Sequence, residues 1–236
     1  MIIQIRAPGG AGKSSLVRQL LREHNPQVVE EQFFPDPRPH KTGGKTAVLW
    51  RCDGDLHVLG KYDLASWEGG GGDFVSGPIG RGIIRHYAPR LPHLIWESKF
   101  GSTEFPKDEA LDEWKSFGII WGVLDTPYDE CIRQTRERRA RRGEDPGDFD
   151  QQRVARDRTT IDGYRVRGPQ WGMRVETLNH DHAYEQLHDL LRSCGWQCTS
   201  DSCTLPKDLV DLTGKVIVDE DGVAPTYRVV GDETVD

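Results

Sequence analysis

The sequence has no apolar run approaching the ~20 residues that a membrane-spanning helix needs, which argues against a membrane partner. It has five cysteines among 236 residues, an odd number typical of a reducing cytoplasm. The last three of them, Cys194, Cys198 and Cys203, lack paired C-x-x-C spacing and do not indicate a zinc site, although His188 is nearby. The start MIIQIR is too short for a signal peptide. We therefore expect a soluble, cytoplasmic protein.

The negative charge is concentrated at one end of the chain. The net charge is −7, and residues 199–236 hold nine acidic and three basic side chains. This leaves 29 acidic and 28 basic side chains in residues 1–198. This near-neutral body does not exclude a nucleic-acid partner. We expect residues 1–196 to form one domain and residues 197–236 an acidic appendage.

Apolar segments of strand and helix length alternate along the chain. This order predicts an α/β fold with a mostly parallel sheet covered by helices on both faces. The dipeptide Asp53-Gly54 between two apolar segments predicts a β-hairpin inserted in this α/β fold. That hairpin belongs to an insertion of about residues 36–78. We expect a helix over about 150–162 and a second hairpin in the tail at KVIVDEDGVAPTYRVV.

Residues 7–15, APGGAGKSS, form a glycine-rich turn between a predicted strand and a predicted helix. The pattern matches the P-loop, G-x-x-x-x-G-K-[ST], except that Ala7 replaces the first glycine. Its glycines let backbone N–H groups face phosphate oxygens, Lys13 can reach the β and γ phosphates, and Ser14 can ligate Mg²⁺. The sequence therefore predicts ATP and Mg²⁺ as cofactors. The expected nucleotide contacts are Pro8, Gly9, Gly10, Ala11, Gly12, Lys13, Ser14, Ser15 and, from a later helix, Arg139.

Glu97 ends the apolar segment HLIWES, where P-loop proteins place a second carboxylate. It could hold Mg²⁺, directly or through water, or accept a proton from the substrate. The alternative is an acid at a strand end that faces solvent.

Six arginines lie within residues 133–142, on a helix that begins after Pro127. Such a helix closes over the nucleotide in small P-loop kinases, so residues 128–165 are predicted to form a lid, with Arg136 a catalytic candidate. The segment Leu124-Asp125-Thr126-Pro127 and the helix from Cys131 resemble nucleoside, nucleotide and small-metabolite kinases. No N-K-x-D motif appears, which argues against a GTPase. A solvated basic helix or a nucleic-acid face is the alternative.

The stretch GKYDLASWEGGGGDFVSG, residues 60–77, offers an acceptor site. A kinase needs a carboxylate that orients and deprotonates the acceptor hydroxyl, and either Asp63 or Asp73 could serve. Four consecutive glycines before Asp73 would admit a bulky substrate. They are also typical of a flexible surface loop.

At Gly60, Tyr62, Asp63 and Gly71-Gly72-Asp73 the sequence resembles the P-loop kinases of tailed bacteriophages that phosphorylate 5-hydroxymethyluracil within DNA. The resemblance implies a P-loop kinase fold and transfer of the ATP γ-phosphate to the hydroxymethyl group. It implies a host-cell cytoplasmic location if the protein is phage-encoded. Arginines from Arg133 to Arg167 would then meet the DNA backbone, and Trp67 and Phe74 could stack on an extruded base.

Two alternatives to this function remain open at the level of sequence. A kinase acting on a nucleoside, nucleotide or sugar would explain the P-loop and the arginines equally well. A nucleotide-binding module without phosphate transfer would also keep these motifs.

Overall fold

The computed structural model describes residues 1–37, 42–65, 70–71, 77–98, 108–198, 210–211 and 215–216. Its strands are β1 (Ile2–Arg6), β2 (Gln27–Pro35), β3 (Gly44–Cys52), β4 (Leu56–Leu59), β5 (Lys61–Tyr62), β6 (Gly70–Gly71), β7 (His93–Ser98), β8 (Ile119–Asp125), β9 (Arg174–Asn179), β10 (Val210–Asp211) and β11 (Lys215–Val216). Its helices are α1 (Lys13–Glu23), α2 (Gly77–Tyr87), α3 (Asp108–Ser116), α4 (Tyr128–Arg141), α5 (Gln151–Gln170) and α6 (Ala183–Ser193).

Seven strands form the central sheet in the order β2-β3-β4-β7-β1-β8-β9. The strands β4, β7, β1, β8 and β9 form a parallel sheet. β3 pairs antiparallel with the outer side of β4, and β2 pairs antiparallel with β3. The predicted mostly parallel sheet and the predicted hairpin at Asp53-Gly54 are both confirmed. Because parallel strands end at one edge, the segments after β1, β7 and β8 meet there.

Both faces of the sheet are covered by helices. β1 points Ile3 and Ile5 toward a cluster that includes α1, α4 and α6, and points Ile2 toward a second cluster formed with α2, α3 and α5. Alternate residues of a strand point to opposite faces, so a strand between two layers of helices is buried on both sides, as all five residues of β1 are. Leu16 and Leu20 of α1 are fully buried, each stabilising the fold by about 1.5–3 kcal/mol.

The fifth helix is longer than the sequence indicates. A helix over about 150–162 is predicted, but α5 runs to Gln170, since Gly163 is tolerated inside it and Pro169 lies only in its last turn. Gly172, at φ +76°, follows the helix. No helix among the described residues is both long and apolar enough to cross a membrane.

The glycine-rich insertion and the tail are described only in part. β5 pairs with β6, so Gly70 and Gly71 lie antiparallel to Lys61 and Tyr62. In the tail, β10 pairs with β11. The predicted hairpin KVIVDEDGVAPTYRVV begins with β11, and its remainder lies outside the described residues.

Candidate active site

The glycine loop, residues 7–12, connects β1 to α1 at the edge where the parallel strands end. Gly10 and Gly12 have φ of +76° and +86°, which glycine adopts at little cost. A Cβ at Gly10 would lie 2.3 Å from the Cys131 carbonyl oxygen and 2.4 Å from Thr135 Oγ1. The first turns of α4 are therefore packed directly on the loop.

The lysine and serine that follow the loop already make polar contacts. Lys13 Nζ donates hydrogen bonds to the carbonyl oxygens of Ala7 and Pro8, both at 2.9 Å. Its ammonium group therefore lies back against the loop. Ser14 Oγ donates to Glu97 Oε2 at 2.9 Å, a contact that joins α1 to the end of β7. The flanking residues are Gly9 and Ser15, both half-buried, and Ala11, which is buried.

Glu97 is held by hydroxyl groups from two sides. Besides Ser14, the hydroxyl of Tyr62 donates to its Oε1 at 3.0 Å. Glu97 is 3% exposed, so this acid does not face solvent. Carboxylate and hydroxyl oxygens are the hard ligands that Mg²⁺ prefers, and Glu97 and Ser14 supply both at one point.

Arg18 belongs to this cluster, although it was not predicted as a site residue from the sequence. Its guanidinium lies 5.9 Å from the centre of the Tyr62 ring, and the residue is 3% exposed. Burial lowers the pKa of Arg18, while the charges of Glu97, Tyr62 and Asp63 oppose this. The signal was its position four residues after Ser14, which places both side chains on one face of α1.

The two candidate bases differ in what the structure describes. Asp63 is exposed, and its Oδ1 accepts a hydrogen bond from the backbone N–H of Ala65 at 3.0 Å, closing a local turn. Asp73 lies outside the described residues, as do Trp67 and Phe74.

The two lid arginines selected from the sequence lie in different environments. Arg136 is exposed. Arg139 forms ion pairs with Glu144 at 2.9 Å and Asp148 at 3.5 Å, and its Nε donates to the Asp145 carbonyl oxygen at 2.8 Å. Arg139 therefore holds the loop after α4 against that helix, so a phosphate contact would require it to exchange these acidic partners.

The predicted basic surface is partly neutralised by acidic residues of the same chain. Arg158 and Arg165 of α5 pair with Asp125 at the end of β8, at 3.3 and 2.9 Å. The hydrogen bond from Arg165 is the main cause that lowers the pKa of Asp125. Arg156 pairs with Asp150 at 2.9 Å. Several arginines of the surface expected between Arg133 and Arg167 thus have a structural role, because they anchor α5 to the sheet or bind the residue that caps its start.

Thr126 and His180 join the glycine loop to the ends of β8 and β9, and neither was predicted as a site residue from the sequence. Thr126 Oγ1 donates to the Ala11 carbonyl oxygen at 2.8 Å and lies 3.1 Å from His180 Nδ1. Because the one hydroxyl proton goes to Ala11, the remaining contact is consistent with the tautomer in which His180 Nδ1–H donates a hydrogen bond to Thr126 Oγ1.

Comparison with known proteins gives two informative matches. No protein-family model matches this sequence. A protein of Pseudomonas phage M6 named "5-hmdU DNA kinase" is 27% identical over 187 residues, covering 75% of this chain and 94% of the relative. A protein of the same name from Pseudomonas phage PaMx11 is 24% identical over 198 residues, covering 81% and 97%. This chain is therefore similar over most of its length to phage proteins named 5-hmdU DNA kinase, which confirms the family resemblance predicted from its motifs.

Proposed function

We propose that this protein is a P-loop kinase that transfers the γ-phosphate of ATP to the hydroxymethyl group of 5-hydroxymethyluracil in DNA. The similarity to two proteins named 5-hmdU DNA kinase, over three quarters of the chain or more, carries the proposal. The position of the glycine loop between the central strand β1 and α1 supports the P-loop part of it.

The residues after β1 suit a nucleotide triphosphate and Mg²⁺. The positive φ of Gly10 and Gly12 and the start of α1 favour a backbone that presents N–H groups to phosphate oxygens. The hydroxyl of Ser14 and the carboxylate of Glu97 would hold Mg²⁺. When bound, the metal supplies positive charge that offsets the negative charge of the phosphate oxygens.

The chain's own groups would then position the reactants. Lys13 Nζ exchanges a backbone carbonyl for a phosphate oxygen, and Arg136 faces the charge of the transferring phosphoryl group. A carboxylate, Asp63 or Asp73, takes the proton of the hydroxymethyl group. The hydroxymethyl oxygen forms a bond to the γ-phosphorus as the bond from that phosphorus to the β–γ bridging oxygen breaks, leaving ADP.

A phosphate-transfer assay with labelled ATP tests the proposal directly. The acceptors are duplex DNA containing 5-hydroxymethyluracil, unmodified duplex, and a panel of free nucleosides and nucleotides, each with and without Mg²⁺. Mg²⁺-dependent label in the modified duplex alone is the expected result. Label only in a small molecule would replace the DNA acceptor by a metabolite, and label in none would contradict a kinase.

Asparagine variants of the two acids identify the base. We expect Asp73→Asn to abolish phosphate transfer and to leave ATP binding unchanged, because an amide cannot accept the hydroxyl proton. The matched variant is Asp63→Asn, whose side-chain oxygen can still accept from Ala65. Transfer rates and ATP affinity are measured for both. Normal turnover by Asp73→Asn with loss in Asp63→Asn would assign the base to Asp63.

The exposed arginines of α5 provide a test of DNA contact. We expect Arg153→Gln to weaken binding of modified and unmodified duplex alike, and to reduce the slope of log affinity against log salt by about 1. Arg174→Gln is the control, because Arg174 begins β9 and lies at the edge of the sheet opposite the glycine loop. Equal slopes for the wild type and Arg153→Gln would remove Arg153 from the DNA surface.

A further inference from the structure

Beyond the last turn of α1, two buried histidines from distant parts of the chain face each other. His24 and His188 are 1% and 3% exposed, and their Nε2 atoms lie 3.1 Å apart. Trp196 closes the site by packing edge-on against both imidazole rings, with centroids at 5.2 and 5.4 Å. The two side chains are therefore held in place by packing.

A carboxylate and a phenol complete the cluster. The hydroxyl of Tyr184 lies 2.9 Å from His188 Nε2 and donates to Glu23 Oε2 at 2.5 Å. Glu23, His24 and His188 each offer one ligand atom, and these atoms lie within 4.8 Å of one another. The Tyr184 proton is directed to Glu23, and His188 Nε2 lies within hydrogen-bond distance of two further atoms, the Tyr184 oxygen and His24 Nε2.

We propose that Glu23, His24 and His188 bind a zinc ion, through one carboxylate oxygen and the two Nε2 atoms, with water as the fourth ligand. Two nitrogens at about 2.0–2.1 Å from a tetrahedral zinc lie about 3.3 Å apart, close to the separation of these imidazole nitrogens. Imidazole and carboxylate donors suit zinc, whereas Mg²⁺ prefers oxygen ligands alone.

The surroundings of the cluster also suit a metal. Cys198 Sγ lies 3.6 Å from His24 Nδ1 and the Tyr184 hydroxyl donates to Glu23, so His24 and Glu23 each have a second-shell contact, whereas His188 Nδ1 is buried without a hydrogen-bond partner among the described residues.

This zinc would be structural and separate from the proposed kinase site. His24 lies ten residues along the chain from Ser14, about 15 Å along a helix. The ion would join the end of α1 to α6 and to the segment that carries Trp196. The inference does not rest on the proposed function, and its test does not measure phosphate transfer.

The test measures zinc in the full-length, tag-free protein. The protein is stripped with a chelator and then titrated with Zn²⁺ in competition with a chromogenic chelator, in excess Mg²⁺ so that oxygen sites are occupied. We expect one zinc per chain and a zinc-dependent rise in melting temperature. The variants His188→Gln and Glu23→Gln should each weaken zinc affinity by at least tenfold, whereas the control His182→Gln, an exposed histidine just before α6, should not.

Glu23→Gln keeps the test decisive if His188→Gln does not fold, because its amide oxygen still accepts the Tyr184 hydrogen bond. Co²⁺ bound to the wild type should give the visible absorption of a four-coordinate site. Absence of tight zinc binding by the wild type, or equal binding by the wild type and Glu23→Gln, would overturn the proposal.

Discussion

Glu97→Gln is expected to lower the rate of phosphate transfer by about 10²–10³-fold, the size of effect seen when one preorganised electrostatic group is removed. Glutamine has the shape of glutamate but carries no charge. It can still accept one hydrogen bond from Ser14 or Tyr62, which donate at 2.9 and 3.0 Å, so the fold should persist. What it loses is the anionic oxygen that would hold Mg²⁺. The measurement is kcat and the KM for ATP over a range of Mg²⁺ concentrations.

Tyr62→Phe is the matched control for that loss. It removes one hydrogen bond to Glu97 but leaves the carboxylate charged and still bonded to Ser14. We expect a loss of tenfold or less, about 1.4 kcal/mol, in line with one hydrogen bond to a charged group. Activity of Glu97→Gln within threefold of the wild type would place Glu97 outside the catalytic machinery.

Gly10→Ala is expected to lower the free energy of unfolding by about 2–5 kcal/mol and to abolish ATP binding. Two costs combine at this position. The φ of +76° is strained for alanine, and the new Cβ would lie 2.3 Å from the Cys131 carbonyl oxygen. Because that oxygen belongs to the backbone of α4, the loop and the helix would have to separate. Urea unfolding and calorimetric titration with ATP measure the two effects.

Gly118→Ala separates the two costs. Gly118 has φ of +65°, close to that of Gly10, but a Cβ there meets nothing within 4 Å. Its variant should therefore lose only the backbone part, about 1–2 kcal/mol. If Gly10→Ala and Gly118→Ala were equally stable, the close approach of the glycine loop to α4 would be wrong.

Patterns within short stretches were read correctly from the sequence. The glycines lie between strand and helix as predicted and Lys13 begins the helix, because the order of apolar and glycine-rich segments is a local property. The hairpin at Asp53-Gly54 formed for the same reason, since Gly54 supplies the positive φ of its turn. The predicted end of α5, at about residue 162, was too early, because the end of this helix depends on packing. Gly168 there lies where a Cβ would be 2.5 Å from Val175.

The arginines show what reasoning from a single segment leaves out. Six arginines close together predict a basic surface. A count of charges in that segment does not include the acidic side chains that folding places beside the arginines. Arg165 of α5 forms an ion pair with Asp125, forty residues earlier, and Arg139 forms ion pairs with Glu144 and Asp148 in the loop after α4. Because such pairing depends on where each side chain projects, it lowers the number of arginines that can meet a phosphate backbone.

By itself the sequence determined the α/β order, the glycine loop with its lysine and serine, and the acid at the end of β7. Each depends on residue types at fixed spacing along the chain. Only the tertiary structure decided which side chains meet. It places Ser14 and Tyr62 in contact with Glu97, from which they are 83 and 35 positions away in the sequence. It also places His24 in contact with His188, 164 positions away. Such contacts follow from strand order and helix packing, which no local spacing encodes, because parallel strands align the ends of segments that are remote in sequence.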